Sequence, residues 1–566
     1  MALQPHVLIV GAGPVGLTAA LVLAEQGIPI RLIDSLPHRM NQSRAAIVHA
    51  RTLELFERLG VVDAFLGEGL KAHGIHIMDL QGRTLMRPNL DSLPSAYNFL
   101  LAIGQDATER LLTEALAQRG WTIERGVTLT ALTQTPNGVT ATLTHADQGS
   151  EEVAVPYVLG CDGARSTVRH QLGLKLEGET LDVYWVTADV RMEWNQPADE
   201  LVAIPGPDGF GFASPLPGGR WRVVVDMGQR PAVLPETVPL EEVQAACQRV
   251  GLRARLSDPV WISPFGVNTR LVPTLQVGRV FLAGDAAHVH SPVGGQGMNT
   301  GIQDAINLAW KLALVLKGRG TQELLHSYNH ERHANARRLL NFVGPATRMV
   351  NLRQPVAVEL RRLVMLAVSE LGLTSLLARR VSELDVQYCD SPVVAEHRQT
   401  TAEWLQALAA DQPHPGLGDC WDFHHGPHPG ERAPDAQGLK EAAGQPKRLY
   451  EHWIGDGRHQ LLAFAGRQPS PQRLAALQQL AQGIEHDFAG VIRARVVCQE
   501  APSLPASSLI DAEGDAHRQY GARYECMYLI RPDAYVGFRA QAAEARPLRE
   551  YLSRVLGAPT PAWRPA

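Results

Sequence analysis

The chain is poor in cysteine, and its cysteines are scattered. It has six, and no two of them form a C-x-x-C pair or a tight cluster. This spacing argues against a disulfide scaffold, a dithiol redox centre and a zinc site. The histidines His288 and His290, and those between 424 and 428, also lack Cys or acidic neighbours at a familiar metal-ligand spacing. We therefore expect ordinary cytosolic thiols and no metal.

The sequence also lacks an excess of charge of either sign. It has 53 Lys and Arg residues against 58 Asp and Glu residues, with no long basic block, which disfavours a nucleic-acid partner. The apolar run Val7–Ala24 resembles a signal peptide or membrane anchor, but glycines interrupt it and no positively charged segment precedes it. We expect a cytoplasmic enzyme without a membrane partner, and at 566 residues one with two or three domains.

A glycine turn near the start of the chain predicts a dinucleotide site. His6–Val10 is typical of a buried strand, Leu17–Gln26 of a helix, and Ile28–Asp34 of a second strand. The turn between the first strand and the helix contains Gly11, Gly13, Pro14 and Gly16. Such glycines let the backbone approach a pyrophosphate at a helix N-terminus, and a carboxylate about 20 residues later binds a ribose. Asp34 fits that role. This motif alone does not choose between FAD and NAD(P).

A second glycine-rich segment follows the apolar strand at 279–283. Gly284 and Asp285 stand at the carboxyl end of that strand, and a turn from Pro292 to Gly295 leads into a helix. That helix begins near Gly297, Met298 and Asn299. An acidic side chain presented here can bind a polyhydroxyl cofactor, while the helix N-terminus can hold an anion. The alternative is an aspartate that only caps its own helix.

Between these two segments lies Cys161-Asp162-Gly163-Ala164-Arg165-Ser166, after a strand-like run. The three motifs, in this order, resemble those of the single-component FAD-dependent aromatic hydroxylases, the group of p-hydroxybenzoate hydroxylase and phenol hydroxylase. The resemblance implies that NAD(P)H reduces bound FAD and that O2 forms a flavin C4a-hydroperoxide. One oxygen atom then passes to a phenolic or polyketide-like aromatic substrate.

The resemblance also implies roles for individual residues. Asp285 would bind the ribityl chain, Pro292 to Gly295 would lie beside the reactive edge of the flavin, and the helix start at Gly297 would face N1 and the C2 carbonyl. Asp162 and Arg165 would take part in binding FAD and NAD(P)H. Two further positions match FAD contacts, Arg44 and Gln105. For each of these two, the alternative is a surface residue that only makes hydrogen bonds.

The reaction benefits from a base that deprotonates the phenol. We take His49, which follows the Arg44 loop, as the candidate, with Pro292 beside the reacting atoms. Phenol hydroxylase has an aspartate nearby, where this chain has Ala45-Ala46. A histidine on a helix face is the competing interpretation. Aromatic residues at Trp185, Phe210 and neighbouring positions alternate on a predicted sheet, and are interpreted as core with some lining the pocket.

The expected fold class is α/β. We predict a Rossmann-like FAD-binding domain of the glutathione-reductase type at 1–181 and 265–350, and an inserted antiparallel-sheet substrate domain at 182–264 with part of 72–104. A helical linker at 351–410 and a thioredoxin-like domain at 411–566 follow, the latter opening with a loop at 411–445 and including a strand at Met527–Phe538. Baeyer–Villiger, epoxidising and antibiotic-inactivating enzymes of the same fold remain open, as does a homodimer. The presence of Asp34, Arg44, Asp162 and Asp285 disfavours a non-catalytic binding protein built on this fold.

Overall fold

The structure is a computed structural model that describes residues 4–39, 45–146, 149–399, 402, 405, 409, 414–441, 444–467, 469–500 and 508–558. Its strands in the first part of the chain are β1 (Val7–Val10), β2 (Ile30–Asp34), β3 (Ile47–Val48), β4 (Leu70–Ala72), β5 (Gly74–Met78), β6 (Thr84–Met86), β7 (Leu100–Ala102), β8 (Ile123–Arg125), β9 (Val127–Thr135), β10 (Gly138–His145), β11 (Gly149–Val155) and β12 (Tyr157–Gly160). The helices of this part are α1 (Pro14–Glu25), α2 (Ala50–Arg58), α3 (Val62–Glu68), α4 (Gln105–Gln118) and α5 (Thr167–Gln171).

The middle of the chain is rich in long strands and long helices. It contains β13 (Glu177–Glu193), β14 (Glu200–Gly206), β15 (Gly209–Leu216), β16 (Arg220–Gln229), α6 (Leu240–Arg249), β17 (Arg255–Leu271), β18 (Gln276–Val277), β19 (Val280–Leu282), β20 (His288–Val289), α7 (Gly297–Leu316), α8 (Gln322–Val350), α9 (Pro355–Glu370) and α10 (Thr374–Val381). The remaining elements are β21 (Ala395–His397), α11 (Leu417–His425), β22 (His459–Phe464), α12 (Pro471–Asp487), β23 (Ile492–Cys498), β24 (Leu509–Ile510), α13 (Asp515–Gln519), β25 (Cys526–Ile530), β26 (Val536–Gln541) and α14 (Ala545–Leu556).

A mostly parallel sheet brings the three sequence motifs together. Its strand order is β18-β19-β12-β1-β2-β8, and only β18 runs antiparallel to its neighbour. Strands β1, β12 and β19 are apolar and buried throughout, as expected for the centre of a sheet covered on both faces. Since the carboxyl ends of parallel strands meet at one edge, Gly11, Cys161 and Ala283 follow adjacent strand ends there.

Helix α1 begins earlier than the sequence suggests. We predict a start at Leu17, but the helix begins at Pro14, directly after the N-cap Gly13. Proline suits the first helical position because its ring fixes φ and its missing N–H has no intrahelical partner there in any case. The earlier start places the positive end of the helix immediately beside the glycine turn.

The second large sheet has the order β20-β17-β13-β16-β15-β14-β5-β6 and is antiparallel except where β5 pairs with β14. Its longest strands, β13 and β17, extend beyond the predicted limits of 182 and 264 to Glu177 and Leu271. Strand β20 belongs to the second glycine-rich segment, and it pairs with the end of β17 through Arg270 and Val289. The cofactor segment is thus hydrogen-bonded to the sheet of the other domain.

The C-terminal sheet has the order β21-β26-β25-β22-β23-β24, with β22 parallel to β23 and antiparallel to β25. Two sequence-based expectations are wrong here. The predicted loop 411–445 contains helix α11, whose first turn is held by a hydrogen bond from the Gly416 N–H to the Asp419 carboxylate at 2.9 Å. The predicted strand Met527–Phe538 is a hairpin of β25 and β26, because the turn at Pro532 and Asp533 interrupts it.

Candidate active site

The first glycine turn is packed tightly on one side and open on the other. A Cβ on Gly11, whose φ is +101°, would lie 2.5 Å from the Cys161 carbonyl oxygen. A Cβ on Gly16 would lie 1.9 Å from the Gly11 carbonyl oxygen, whereas one on Gly13 would meet nothing within 4 Å. Glycine is therefore required at 11 and 16 by packing, while Gly13 and Pro14 border a cavity.

Asp34 holds this turn to the end of β2. One of its carboxylate oxygens accepts a hydrogen bond from the Ala12 N–H at 2.8 Å, and the other accepts one from the Leu36 N–H at 2.9 Å. The Arg125 guanidinium lies 3.8 Å away. The carboxylate is half-buried and has a structural function in the turn, besides the ribose contact predicted from the sequence.

The middle motif forms the turn that leads into α5. Asp162 accepts hydrogen bonds from the Ser166 hydroxyl at 2.5 Å and from the Val168 N–H at 3.0 Å, so its side chain caps α5. Arg165 is exposed and does not line the cavity; its neighbours Cys161 and Gly163 do. The sequence analysis missed Arg169, which is buried and donates hydrogen bonds to the carbonyls of Ala164 and Ala286.

The second glycine segment packs against α1 and borders the same cavity. Gly284, with φ +60°, would place a Cβ 2.9 Å from Val15 Cγ2, so its packing against α1 requires glycine. Asp285 follows in a single 3-10 turn, is exposed, and lines the cavity. Its neighbour Gly284 donates its N–H to Asp304 Oδ2 at 3.0 Å. The carboxylate of Asp285 thus faces the cavity from a fixed backbone.

The turn from Pro292 to Gly295 and the start of α7 form the floor of the cavity. Its lining residues here are Pro292, Gly294, Gly295, Gly297 and Met298. Helix α7 has Gln296 as N-cap, without a side-chain hydrogen bond to its first turn. The first N–H groups of a helix have no intrahelical partner, so this end can bind an anion or a carbonyl oxygen.

Asn299 does not present its side chain to the cavity. It is fully buried, accepts a hydrogen bond from the His49 N–H at 2.9 Å and donates to the carbonyls of Ile47 and Gly295 at 2.9 and 3.1 Å. The amide group therefore ties α7 to β3. Among the predicted cofactor contacts near this helix, Gly297 and Met298 line the cavity and the Asn299 side chain does not.

His49 is not placed to act as the base. Its ring is fully buried, its Nε2 lies 3.1 Å from the Gly295 carbonyl oxygen, and it is absent from the residues that line the cavity. Burial also lowers the pKa of His49 to about 4. The side chain sits behind the Gly294-Gly295 turn and supports it. The sequence could not show this, because the position of His49 along the chain does not reveal whether its ring lies on the cavity side of the Gly294-Gly295 turn or behind that turn.

Gln105 lines the cavity as the first residue of α4, and its Oε1 accepts a hydrogen bond from the Ala45 N–H at 3.2 Å. Arg44 lies outside the described residues. Among the described residues, no group of three or more His, Cys, Asp or Glu side chains could hold a metal ion. No helix in this described part is long and apolar enough to cross a membrane.

The far wall of the cavity is one face of the second sheet. Side chains alternate along a strand, and Trp185, Phe210 and Phe212 line the cavity. Trp185 and Phe210 have ring centroids 5.2 Å apart. Trp221 points to the opposite face, where it meets Trp194 in a separate core beneath α6. The sheet thus gives the cavity, of about 350 Å³, an aromatic wall.

Arg222 and Asp189 add a buried ion pair to this wall. The Arg222 guanidinium lines the cavity and binds both carboxylate oxygens of Asp189, one of them at 2.8 Å. Trp261 donates its indole N–H to Asp189 at 3.1 Å, and its ring lies 4.9 Å below the guanidinium. Pairing of β17, β13 and β16 sets the three residues side by side. A cation is therefore fixed at the aromatic wall.

Behind α7 lies a buried ionic network that the sequence analysis did not find. Asp304 accepts hydrogen bonds from His288 at 2.7 Å and Arg332 at 2.6 Å. Burial alone would raise the pKa of Asp304, but Arg332 and His288 hold it below its usual value. Further along α7, Lys311 lies 2.8 Å from Glu331, and burial lowers the pKa of Lys311 to about 8.

The same network anchors the C-terminal domain. Arg531 donates to Glu331 at 2.7 and 2.9 Å and to Asp533 at 3.0 and 2.6 Å. Asp533 in turn accepts a hydrogen bond from Asn307 on α7 at 3.2 Å. The Arg531-Pro532-Asp533 motif is visible in the sequence, but nothing in it indicates that its partners lie on α7 and α8.

The cavity fits FAD. It runs from the N-terminus of α1, past the Asp285 carboxylate, to the N-terminus of α7 and the aromatic wall. The open space beside Gly13 admits a pyrophosphate next to a helix N-terminus. The Asp285 carboxylate can then accept hydrogen bonds from the ribityl hydroxyls, and the N-terminus of α7 can face a carbonyl group of the flavin ring. This order matches the order of pyrophosphate, ribityl chain and ring in FAD.

Comparisons with known proteins agree with this geometry. Residues 4–343 match the family described as FAD binding domain, and residues 426–559 match the family described as aromatic-ring hydroxylase, C-terminal. A 6-methylpretetramide 4-monooxygenase from Streptomyces rimosus is 36% identical over 550 residues, which cover 95% of this chain and 91% of that protein. An anhydrotetracycline hydroxylase structure from Streptomyces rimosus has a TM-score of 0.73 at 28% identity, covering 99% of this chain and 100% of that one. A ternary complex of aklavinone-11 hydroxylase with FAD and aklavinone has a TM-score of 0.75 at 25% identity, covering 98% and 99%.

The chain belongs to the FAD-dependent aromatic-ring hydroxylases. It is an FAD-dependent monooxygenase that uses NAD(P)H as reductant and acts on a small aromatic molecule. The predictions of family, α/β fold class, cofactors and monooxygenase activity are thereby confirmed.

Proposed function

We propose that this monooxygenase hydroxylates a phenolic, multi-ring aromatic of the polyketide type, with O2 as the source of the oxygen atom. The observation that carries the proposal is the cavity itself. One wall consists of cofactor-binding backbone from Pro292 to Gly297, and the other consists of three aromatic rings and the guanidinium of Arg222. A flat, fused-ring phenol matches such a slot. The relative with 95% coverage acts, by its name, on a pretetramide.

The proposed roles of the cofactor site follow the geometry. Gly11, Gly13, Pro14 and Gly16 shape the pyrophosphate site, and Asp34 supports it. Asp285 accepts hydrogen bonds from the ribityl hydroxyls, and the N-terminus of α7 at Gly297 and Met298 faces N1 and the C2 carbonyl. When bound, FAD supplies electron transfer from NAD(P)H to O2. The protein's part is to place the ring and exclude water from the reacting atoms.

We propose that Arg222 favours ionisation of the phenol by its positive charge, in place of the base that the sequence suggested at His49. A phenol reacts better with an electrophilic oxygen once it is ionised, and a cation close to a phenol lowers its pKa. Arg222 is 2% exposed and held in place by Asp189 and the Trp261 ring, so it presents a fixed positive charge to the cavity. It binds the phenolate oxygen, and the phenol proton leaves to solvent.

The substrate class is tested with the purified holoenzyme. Fused-ring phenols such as hydroxylated anthraquinones and naphthacenes are compared with single-ring phenols, by stimulated oxidation of NADH and of NADPH. Products are then analysed after reaction under labelled O2. We expect one labelled oxygen atom on a fused-ring carbon. Faster coupled turnover of single-ring phenols would contradict the substrate class, and an inserted ring oxygen or an epoxide would contradict hydroxylation.

The role of Arg222 is tested with the double variant Arg222→Gln and Asp189→Asn, which removes the ion pair without leaving a buried charge. We expect coupled hydroxylation near neutral pH to fall by about tenfold or more, the effect of one pKa unit, and to recover at alkaline pH. Arg220→Gln is the matched control, since Arg220 lies on the same strand but binds Asp258. A double variant with the wild-type pH profile would refute the role.

The C-terminal domain is proposed to be thioredoxin-like in fold. Parallel β22 and β23 joined by α12, followed by the antiparallel pair β25 and β26 and by α14, support this. It is not proposed to carry out dithiol chemistry, because Cys498 and Cys526 are buried, and burial raises the pKa of Cys498 to about 11. A homodimer and a cytoplasmic location stay predictions, which sedimentation and cell fractionation would test.

A further inference from the structure

His290 lies in the cofactor part of the cavity with one ring nitrogen unused. Its Nδ1 lies 2.9 Å from the Ser291 carbonyl oxygen, which can only accept, so Nδ1 carries a hydrogen and Nε2 is free to accept a proton. Nε2 is buried and has no hydrogen-bond partner among the residues that the structure describes. A buried nitrogen without a partner requires an explanation.

The unused nitrogen faces the start of α7. A Cβ built on Gly297 would lie 3.5 Å from both Cε1 and Nε2 of His290, so the edge of the ring borders the first residue of that helix. Both residues line the cavity. The position of His290 is therefore next to the backbone that, in the proposed function, receives the N1 and C2 end of the flavin ring.

The charged and titratable groups around His290 are few. Asp285 lies on the preceding turn, His288 on β20 stacks at a centroid distance of 6.4 Å, and Arg222 and Cys161 border the same cavity. The first turn of α7 has no acidic residue. Burial lowers the pKa of His290 below its ordinary value, and His288 adds to this against the opposing effects of Ser291 and Asp285. Burial thus favours the neutral form of the His290 ring.

We propose that His290 takes up a proton at Nε2 when bound FAD is reduced, and so neutralises the negative charge that the reduced ring carries at N1. This inference rests on the proposed placement of FAD against α7. The proton is balanced in the overall reaction, in which NAD(P)H, O2, one proton and the aromatic substrate give NAD(P)⁺, the hydroxylated product and water. Hydride transfer supplies two electrons and one proton, and His290 takes the further proton from solvent and releases it to the water that leaves.

The first test uses the wild-type holoenzyme. FAD is reduced anaerobically by NAD(P)H in weakly buffered solution with a pH indicator, without substrate. Hydride transfer alone takes up no proton from solvent. The proposal requires uptake of about one proton for each FAD reduced, at a pH between the pKa of His290 beside oxidised FAD and its higher pKa beside reduced FAD. Absence of proton uptake across pH 6 to 9 would overturn the proposal.

The second test measures the midpoint potential of bound FAD against pH. For a two-electron couple, each proton taken up contributes about 30 mV per pH unit. We expect about 59 mV per pH unit in the wild type at the pH where uptake occurs, and about 30 mV in His290→Gln. His330→Gln, an exposed histidine on α8, is the control and should keep the wild-type slope. A His290→Gln slope equal to the wild-type slope would refute the role of His290.

The two proposals fail in different ways. If the wild type binds FAD and hydroxylates a fused-ring phenol but shows no extra proton uptake, only the role of His290 is wrong. If FAD binds and takes up the proton while no fused-ring phenol is hydroxylated, the substrate proposal is wrong. A His290→Gln protein that does not retain FAD, as judged by its flavin absorbance, leaves the wild-type proton count to decide.

Discussion

Replacing Arg531 tests whether the C-terminal domain is held on the FAD domain by the buried network. The guanidinium is 1% exposed and makes four hydrogen bonds, two to Glu331 and two to Asp533. Arg531→Met leaves both carboxylates buried without that partner. Removing one partner from a buried ion pair costs about 3–5 kcal/mol, and we expect the lower end because Lys311 still pairs with Glu331.

The assay is urea unfolding of the holoenzyme, followed by flavin fluorescence. A loss of about 3 kcal/mol, with a slope of about 3 kcal/mol per M, moves the midpoint down by about 1 M. Arg546→Met is the control, because Arg546 forms only an exposed pair with Glu550 one helical turn away, and its midpoint should stay unchanged. A shift in Arg531→Met no larger than in Arg546→Met would refute the reasoning.

Two further predictions concern α7. Glu383 follows α10 and accepts hydrogen bonds from Thr300 and Gln303 of α7 at 2.8 and 2.5 Å. Burial raises the pKa of Glu383 to about 8, so its folded-state pKa lies above the unfolded value, and its contribution to stability is present at low pH and lost as pH rises from about 4.5 to 8. The thermal midpoint of the wild type should therefore fall more over this range than that of Glu383→Gln, and parallel curves would contradict the assignment. Gly301→Ala would place a Cβ 2.7 Å from Val15 Cγ2 and 3.0 Å from Gly284 Cα, and should cost about 1–3 kcal/mol and weaken FAD binding in a fluorescence titration. Gly67→Ala, with nothing within 4 Å of its new Cβ, is the control, and equal losses in the two variants would show that the packing of α1 on α7 is not the cause.

The parts of the site that sequence could predict are those in which backbone shape dictates residue type. Gly11, Gly16 and Gly284 are glycines because a Cβ would strike neighbouring atoms, and such positions are recognisable in a motif. Asp285 was also predictable, because it directly follows a parallel strand, and ligands of such sheets bind outside the carboxyl ends of the strands.

The parts that sequence could not predict depend on which side of a loop a side chain occupies. His49 and Asn299 both lie close in sequence to residues that line the cavity. Their side chains nevertheless point away from the cavity and contact the Gly295 carbonyl oxygen. The ionic network was hidden for another reason, since Asn307 and Asp533 are 226 residues apart. Arg222 was missed because an arginine on a strand with alternating polar and apolar residues is expected to face solvent. Only the folded structure shows that this face of the sheet is buried.

The pairing of β20 with β17 has a consequence for recombining this enzyme with its relatives. The strand that carries Trp261 ends in direct register with the segment that carries Asp285 and Pro292, through Arg270 and Val289. Exchanging the inserted domain at its apparent limits of 182 and 264 would cut both long strands in the middle. Crossover points before Glu177 and after the start of α7 would keep β17 together with the segment that pairs with it. The exchanged sheet would then be transferred with the cofactor segment to which it is hydrogen-bonded.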